Sequence, residues 1–375
     1  MTTFSDRLKD TRRIVLKIGS ALLIDGNRSV VREAWLNSLA DDVAALKARG
    51  IQVILVSSGA IAMGREAIGY STRPDRLEDA QAAAAVGQIR LARAYQDVFA
   101  KRDIVVGQIL LTLDDLEERP SYLNARNTLE TLLDRGIVPV INENDTVATT
   151  EIRFGDNDRL SARVAHLTGA DLLILFSDID GLYETDPRKS PDAPFVSVVE
   201  KITPAIDAMA GPPGATTAGT GGMITKLAAA KIAMAGGCSM IIAKGEAERP
   251  VGRLIDGERH TIFIASEDPL TIRKRWIRGL MAPQGFAHLD DGAVAAIRSG
   301  ASLLPAGVTG VDGNFNRGSL IALLDRHQHL VGQGLAAYGS VEADKIKGCQ
   351  IKEISSILGY SGRSALVHRD DMVIF

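Results

Sequence analysis

Only two cysteines occur in the 375 residues, Cys238 and Cys349, far apart and each next to a glycine. No disulfide framework and no cysteine-based metal spacing can be drawn from them, which fits a reducing cytoplasm. Long apolar runs are missing as well. The longest, such as Leu172 to Phe176, are strand-sized and too short to span a bilayer. The opening MTTFSDRLKDTRR mixes acids with bases around no apolar core, so it is not read as a signal peptide. A net charge of −3 lacks the basic excess of a dedicated nucleic-acid binder. Two phosphate-binding signatures are also absent: G-x-x-x-x-G-K-[ST], and G-x-G-x-x-G with a following acid. No Ser-His-Asp or Cys-His set is evident, since His166 falls inside a helical pattern and His260 precedes a strand.

Hydrophobic residues make up 46% of the chain, and its length allows two domains with separate cores. Through about residue 265, short aliphatic runs alternate with helical patterns. The runs are Ile14–Ile18, Val53–Val56, Val105–Leu111, Ile137–Ile141, Leu172–Phe176 and Met240–Ala243. Between them, apolar residues recur every three or four positions over Ala34–Arg49, Glu78–Phe99, Tyr122–Arg135, Arg159–Thr168 and Met223–Ala235. Gly50, Gly136, Gly169 and Gly236 are expected to end helices in the left-handed conformation. Strand and helix in regular succession predict an α/β fold with a mostly parallel sheet sandwiched by helices. In such sheets ligands sit beyond the carboxyl ends of the strands.

The informative residues follow strands. Lys17-Ile18-Gly19-Ser20 closes the first run, Ser57-Ser58-Gly59-Ala60 follows the second and opens a helix, and Ser177-Asp178-Ile179-Asp180-Gly181 closes the fifth. Asn142 to Asp158, NENDTVATTEIRFGDND, packs Asp145, Asp156 and Asp158 with Asn142, Asn144 and Asn157 just past a strand. Gly219-Thr220-Gly221-Gly222-Met223-Ile224-Thr225-Lys226 leads straight into a helix, an arrangement suited to phosphate with a lysine one turn in. Moving a phosphoryl group between two anions needs fixed positive charge. Lys17, Lys226, one Mg²⁺ and backbone amides can supply it without a covalent step, and an acid such as Asp158 can hold the lysines while carrying no proton.

VLKIGS, VSSGAIAMGR, INENDTVAT with FGDND, SDIDGLY and GTGGMITK together resemble the glutamate 5-kinases of the amino acid kinase superfamily. The likeness runs in order over nearly the whole chain. It implies the amino acid kinase fold and ATP-dependent phosphorylation of the L-glutamate side-chain carboxylate to glutamyl 5-phosphate, the first step of proline synthesis. It also implies Mg²⁺, feedback inhibition by proline, a homo-oligomer and a cytoplasmic enzyme. Carried over by position, Lys17 and Lys226 would neutralise the moving phosphoryl group, with Asp158 orienting them. Ser58, Asp145 and Asn157 would hold glutamate, Asp145 facing its ammonium. ATP would be lined by Lys17, Ser177, Asp178, Thr220, Gly221, Gly222, Met223, Ile224, Thr225 and Lys226. The run from Gly211 to Ala218 is read either as a segment that moves over the nucleotide or as a disordered surface loop.

After a basic connector over residues 266–282, residues 283–375 change texture. Short strands between glycine turns suggest a small β-rich barrel, and the segment resembles a PUA domain that many glutamate 5-kinases carry. Residues 1–265 would form the kinase domain. PUA domains elsewhere bind RNA, but residues 283–375 hold 8 Lys+Arg against 9 Asp+Glu. That balance is poor for gripping phosphates, so nucleic acid is not the expected partner. Two other readings stay open: a related kinase acting on N-acetylglutamate or aspartate, and an RNA-associated protein built on a kinase scaffold.

Overall fold

The computed structural model describes residues 4–25, 29–147, 156–211, 222–279 and 283–375. The chain divides into two compact units, Met1–Pro269 and Leu270–Phe375. The first is built on eight strands: β1 Arg13–Ile18, β2 Gln52–Val56, β3 Val106–Leu111, β4 Val138–Glu143, β5 Leu172–Ser177, β6 Val198–Val199, β7 Ser239–Lys244 and β8 His260–Phe263. They lie side by side in the order β6-β8-β7-β5-β1-β2-β4-β3. Every neighbouring pair is parallel except β7 with β8. The mostly parallel sheet expected from the alternating pattern is therefore present, with β1 near its centre. Strand β6 was not legible, because two residues carry no periodicity, while the strand expected after His260 is present as β8 and begins at His260 itself.

Helices cover both faces: α1 Glu33–Ala48, α2 Ala60–Gly64, α3 Leu77–Ala100, α4 Arg119–Asp134, α5 Asp156–Thr168, α6 Met223–Ala235 and α7 Pro250–Ile255. Side chains alternate across a strand, so β1 sends Ile14, Leu16 and Ile18 to one face and Val15 and Lys17 to the other. The first face packs on Trp35, Leu39 and Val43 of α1 and Leu91, Tyr95 and Phe99 of α3. The second packs on Leu160 and Val164 of α5 and Leu227 and Ala230 of α6. Burying a Leu or Val in these layers contributes about 1.5–3 kcal/mol. The alternation therefore puts Lys17 on the face covered by α5 and α6, the helices that carry Asp158 and Lys226.

Three polar anchors hold the loop after β7. The Trp35 indole donates to the Gly245 carbonyl at 2.7 Å, and the Arg249 amide donates to Ser38 Oγ at 2.9 Å. The Asp42 carboxylate accepts from the Val251 and Gly252 amides at 2.8 and 3.1 Å, satisfying the otherwise unpaired donors of the first turn of α7. Burial raises the Asp42 pKa, opposed by those two backbone bonds.

Gly50, Gly136 and Gly169 end helices at φ values of 79°, 71° and 61°, as expected. Gly236 does not: its φ is −87°, and the left-handed residue is Gly237 at 80°. Space explains Gly236 instead, because a Cβ there would lie 2.5 Å from His166 Nδ1.

The connector expected over 266–282 is partly a folded helix, α8 Pro269–Gly279. Arg273 Nε donates to Asp371 at 2.7 Å, Gln333 donates to the Ile277 carbonyl at 2.7 Å, and Ile277 packs on Leu320, Leu335 and Val373. One apolar and one basic residue a turn apart thus find partners in the second unit, so the stretch is not simply a solvated tether. That unit has five strands: β9 Gly285–Leu289, β10 Val308–Gly313, β11 Leu320–Leu324, β12 Leu330–Leu335 and β13 Met372–Ile374. They run in the order β10-β9-β11-β12-β13, antiparallel except β9 with β11. Their core includes Leu289, Phe315, Ile321, Leu323, Val331 and Tyr338. Among the described residues, no helix is long and apolar enough to cross a membrane.

Candidate active site

A cavity of about 700 Å³ opens at the carboxyl ends of β1, β2, β4 and β5. Its wall draws Gly19 and Ser20 from the end of β1, Ser58 and Gly59 from the end of β2, Asn142, Glu143 and Asp145 from the end of β4, and Ser177 and Asp178 from the end of β5. Asn157 of α5 and Lys226 of α6 complete it from the helical layer, beside Lys17. Gly59 turns the chain from β2 into α2 at φ 111°, a left-handed conformation that a glycine adopts without strain.

Asp158 is fully buried and lies between the two lysines. Lys17 Nζ is 2.6 Å from its Oδ1 and Lys226 Nζ is 3.2 Å from its Oδ2. Thr225 Oγ1 also donates to Oδ2, at 2.9 Å. Burial alone would raise the Asp158 pKa, but the two ammonium groups and the Thr225 hydroxyl outweigh it and hold the carboxyl down to about 2. Burial lowers the Lys226 pKa, and Asp158 pulls it back upward. Two cations sharing one anion leave an excess positive charge in the cavity wall. Asp158, ionised throughout the neutral range, cannot serve as a base there.

Asn157 Nδ2 donates to Ser58 Oγ at 2.6 Å, to the Ser57 carbonyl at 3.1 Å and to Asn142 Oδ1 at 3.3 Å. Its Oδ1 is buried and accepts no hydrogen bond among the described residues. Buried acceptors of this kind are rare enough to call for a ligand or an ordered water. The Asp145 carboxyl is pushed up to about 6 by burial, against the pull of the positive charge on Arg73. On the far side, Ser177 Oγ donates to Asp178 Oδ1 at 2.9 Å. Helix α6 begins after Gly222, whose extended backbone leaves the N-terminus open toward an anion.

Lys17, Ser58, Asp145, Asn157, Ser177, Asp178 and Lys226 are thus brought to one cavity, and Asp158 lies behind the lysines. Met223, Ile224 and Thr225 occupy the first turn of α6 without lining it; Met223 packs against the core and Ile224 is exposed. Thr220 and Gly221 lie outside the described residues, as does the run after Gly211. Sequence reasoning gave no role to Asn142, although it stands in the quoted loop. It also passed over Arg32, Arg65, Arg73 and Glu246, which line the same cavity. Arg65 closes the VSSGAIAMGR motif without having been given a role, whereas Arg32, Arg73 and Glu246 stand in no motif, and only the folded chain brings them together.

The family model described as "Amino acid kinase family" matches residues 12–244, and that of the PUA domain matches residues 285–358. A glutamate 5-kinase of Paramagnetospirillum magneticum is 54% identical over 367 residues, 98% of this chain and 99% of that one. A glutamate 5-kinase of Brucella ovis is 55% identical over 368 residues, 98% of this chain and 97% of its own. One of Rhizobium rhizogenes is 54% identical over 363 residues, covering 97% of this chain and 93% of its own.

Proposed function

The chain belongs to the glutamate 5-kinase family, and from that premise we propose that the cavity joins ATP to the side-chain carboxylate of L-glutamate, giving L-glutamyl 5-phosphate and ADP. A carboxylate oxygen forms a bond to the γ-phosphorus as the bond to the bridging oxygen of ADP breaks. The acceptor is already ionised at neutral pH, so no group has to take its proton. What the step requires is relief of repulsion between two anions, and positioned cations provide that. The Lys17–Asp158–Lys226 bridge is the observation that carries this reading. It fixes two ammonium groups in the cavity wall while leaving their charge only half neutralised.

In this reading the substrate divides among chemically matched partners. Asp145 takes the ammonium, and Ser58 and Asn157 supply the remaining polar contacts. ATP occupies the side lined by Ser177, Asp178 and the start of α6. A volume near 700 Å³ is in the range of small-molecule sites. Among the described residues no group of three or more Asp, Glu, His or Cys could cage a metal. Mg²⁺ is usually held by substrate phosphates, water and one or two carboxylates. Asp178 would offer one carboxylate, and the ion would neutralise phosphate charge.

The same reading assigns catalysis to residues 1–265 and a PUA domain to residues 283–375. It includes proline as feedback inhibitor, self-association and a place in the cytoplasm. Residues 283–375, with their balance of −1, support no separate role in gripping nucleic acid.

The test is ATP turnover with L-glutamate, N-acetyl-L-glutamate and L-aspartate in the presence of hydroxylamine, with and without Mg²⁺. Mg²⁺-dependent hydroxamate from L-glutamate alone is expected. Turnover with N-acetyl-L-glutamate instead would overturn the choice of acceptor, since an acetylated amine needs no carboxylate partner.

A further inference from the structure

From Asn157 and Asn142 in the cavity wall a row of side-chain amides runs back to Gln88, a residue that the reaction as described does not use. Asn142 Nδ2 donates to Gln88 Oε1 at 2.8 Å, and Asn142 Oδ1 receives the Asn157 amide at 3.3 Å. Next to them Tyr95 donates its hydroxyl to Ser57 Oγ at 2.9 Å. Asn142 is only 2% exposed. Ser57, Gln88, Tyr95 and Asn142 together line a second cavity of about 20 Å³, the size of roughly one water. Gln88 itself does not line the large cavity.

The direction of this row is fixed chemically. The Ser57 carbonyl can only accept, so the Asn157 side chain must turn its NH₂ toward it and leave Oδ1 elsewhere. Asn142 must then offer Oδ1 to that NH₂, which turns its own NH₂ toward Gln88. Gln88 in turn has to present oxygen. Each amide thereby sets the orientation of the next. The row ends at Asn157 Oδ1, a buried oxygen that accepts no hydrogen bond among the described residues. The anchor of the row is equally fixed. Gly87 and Gly64 let α3 and α2 touch backbone to backbone, since a Cβ on Gly87 would fall 1.8 Å from the Ala60 carbonyl oxygen. Gln88 is therefore held at a set height beside the turn that carries Ser57 and Ser58.

We propose that Gln88 is a positioning residue for substrate selection: acting through Asn142, it reinforces the orientation that the Ser57 carbonyl imposes on Asn157, with Oδ1 presented to the ammonium of the amino acid. The ammonium is the only N–H donor that ionised glutamate possesses, so an acceptor oxygen in the wall of the cavity selects for it. Asp145 contributes charge to that contact and Asn157 contributes direction. This inference rests on L-glutamate being the acceptor.

Kinetics of Gln88→Met and Gln88→Glu test it, with glutarate, which is glutamate without its amino group, as competitive inhibitor. Methionine matches the length of glutamine but accepts no comparable hydrogen bond, whereas glutamate keeps the acceptor. In Gln88→Met, KM for L-glutamate should rise about tenfold, the size of one hydrogen bond to a charged group. KM for ATP, and Ki for glutarate, should stay within about twofold, because neither contact involves the ammonium. Gln88→Glu should stay close to the parent protein in every constant. If methionine is not tolerated at this position, Gln88→Asn, one carbon too short to reach Asn142, carries the same expectation. Glutarate weakening in step with L-glutamate, or Gln88→Glu losing as much as Gln88→Met, would overturn the inference. If the parent protein makes no hydroxamate from L-glutamate, it is the proposed function that fails instead.

Discussion

Replacing Asp158 with asparagine keeps the shape of the side chain and removes its charge, leaving two buried ammonium groups facing a neutral amide. Two routes give the size of the effect. The carboxyl lies at about 2 in the folded protein, against about 3.9 in an unfolded chain. At about 1.4 kcal/mol per unit, that displacement corresponds to about 2–3 kcal/mol of stability at neutral pH. One-sided removal of a buried ion pair typically costs about 3–5 kcal/mol, since the orphaned partner stays desolvated. The sign follows from the depressed pKa. The contribution is complete above the unfolded value and is lost as the pH falls toward 2. Urea unfolding followed by Trp35 fluorescence, in a Trp276→Phe background, isolates the first unit because Trp35 is buried in its core. Asp158→Asn should lose at least 2 kcal/mol at pH 7, and the gap to the parent should close as the pH is lowered below about 4. A loss under about 1 kcal/mol, or a gap that does not change with pH, would refute the bridge as an energetic unit.

Three further outcomes follow from the same geometry. Lys226→Ala should lower kcat by about two to three decades, or about 3–4 kcal/mol, with little change in KM for L-glutamate, and near-normal turnover would remove it from the mechanism. Because Asp145 titrates at about 6 and must be ionised to meet an ammonium, kcat/KM for L-glutamate should rise with pH through that value. Asp145→Asn should erase that limb, and a limb that persists belongs to another group. Gly87→Ala has to push α3 away from α2, because its Cβ would sit 1.8 Å from one backbone atom and 2.7 Å from another. A fall in Tm of about 5 °C or more is expected by thermal melting, and an unchanged Tm would mean that the crossing is not tight.

Much of this was legible before folding because periodicity and strand ends are local properties. Alternation along Ile14–Ile18 already determined the face to which Lys17 points. The Gly-rich run before Lys226 marked a helix start. What the chain could not announce was proximity. Lys17, Asp158 and Lys226 are far apart in sequence and meet only because β1, α5 and α6 share one face of the sheet. Arg73 stands in a loop with no motif around it. Gln88 looks like any polar residue on the long helix α3, and its partner Asn142 is 54 positions away. The exchange of Gly236 for Gly237 at a helix end reflects packing on His166, which no local pattern encodes. Strand β6 stayed hidden because its two residues carry no periodicity.

Direct attack by the side-chain carboxylate on phosphorus is the central claim, and oxygen tracing tests it most directly. L-Glutamate labelled with ¹⁸O in its side-chain carboxylate is turned over with ATP and Mg²⁺ in the presence of hydroxylamine, and the released phosphate is examined by ³¹P NMR. Hydroxylamine attacks the acyl carbon, so phosphate that has passed through glutamyl 5-phosphate should carry one labelled oxygen. Phosphate released without label, at a rate matching ATP consumption, would mean that water rather than glutamate is the acceptor.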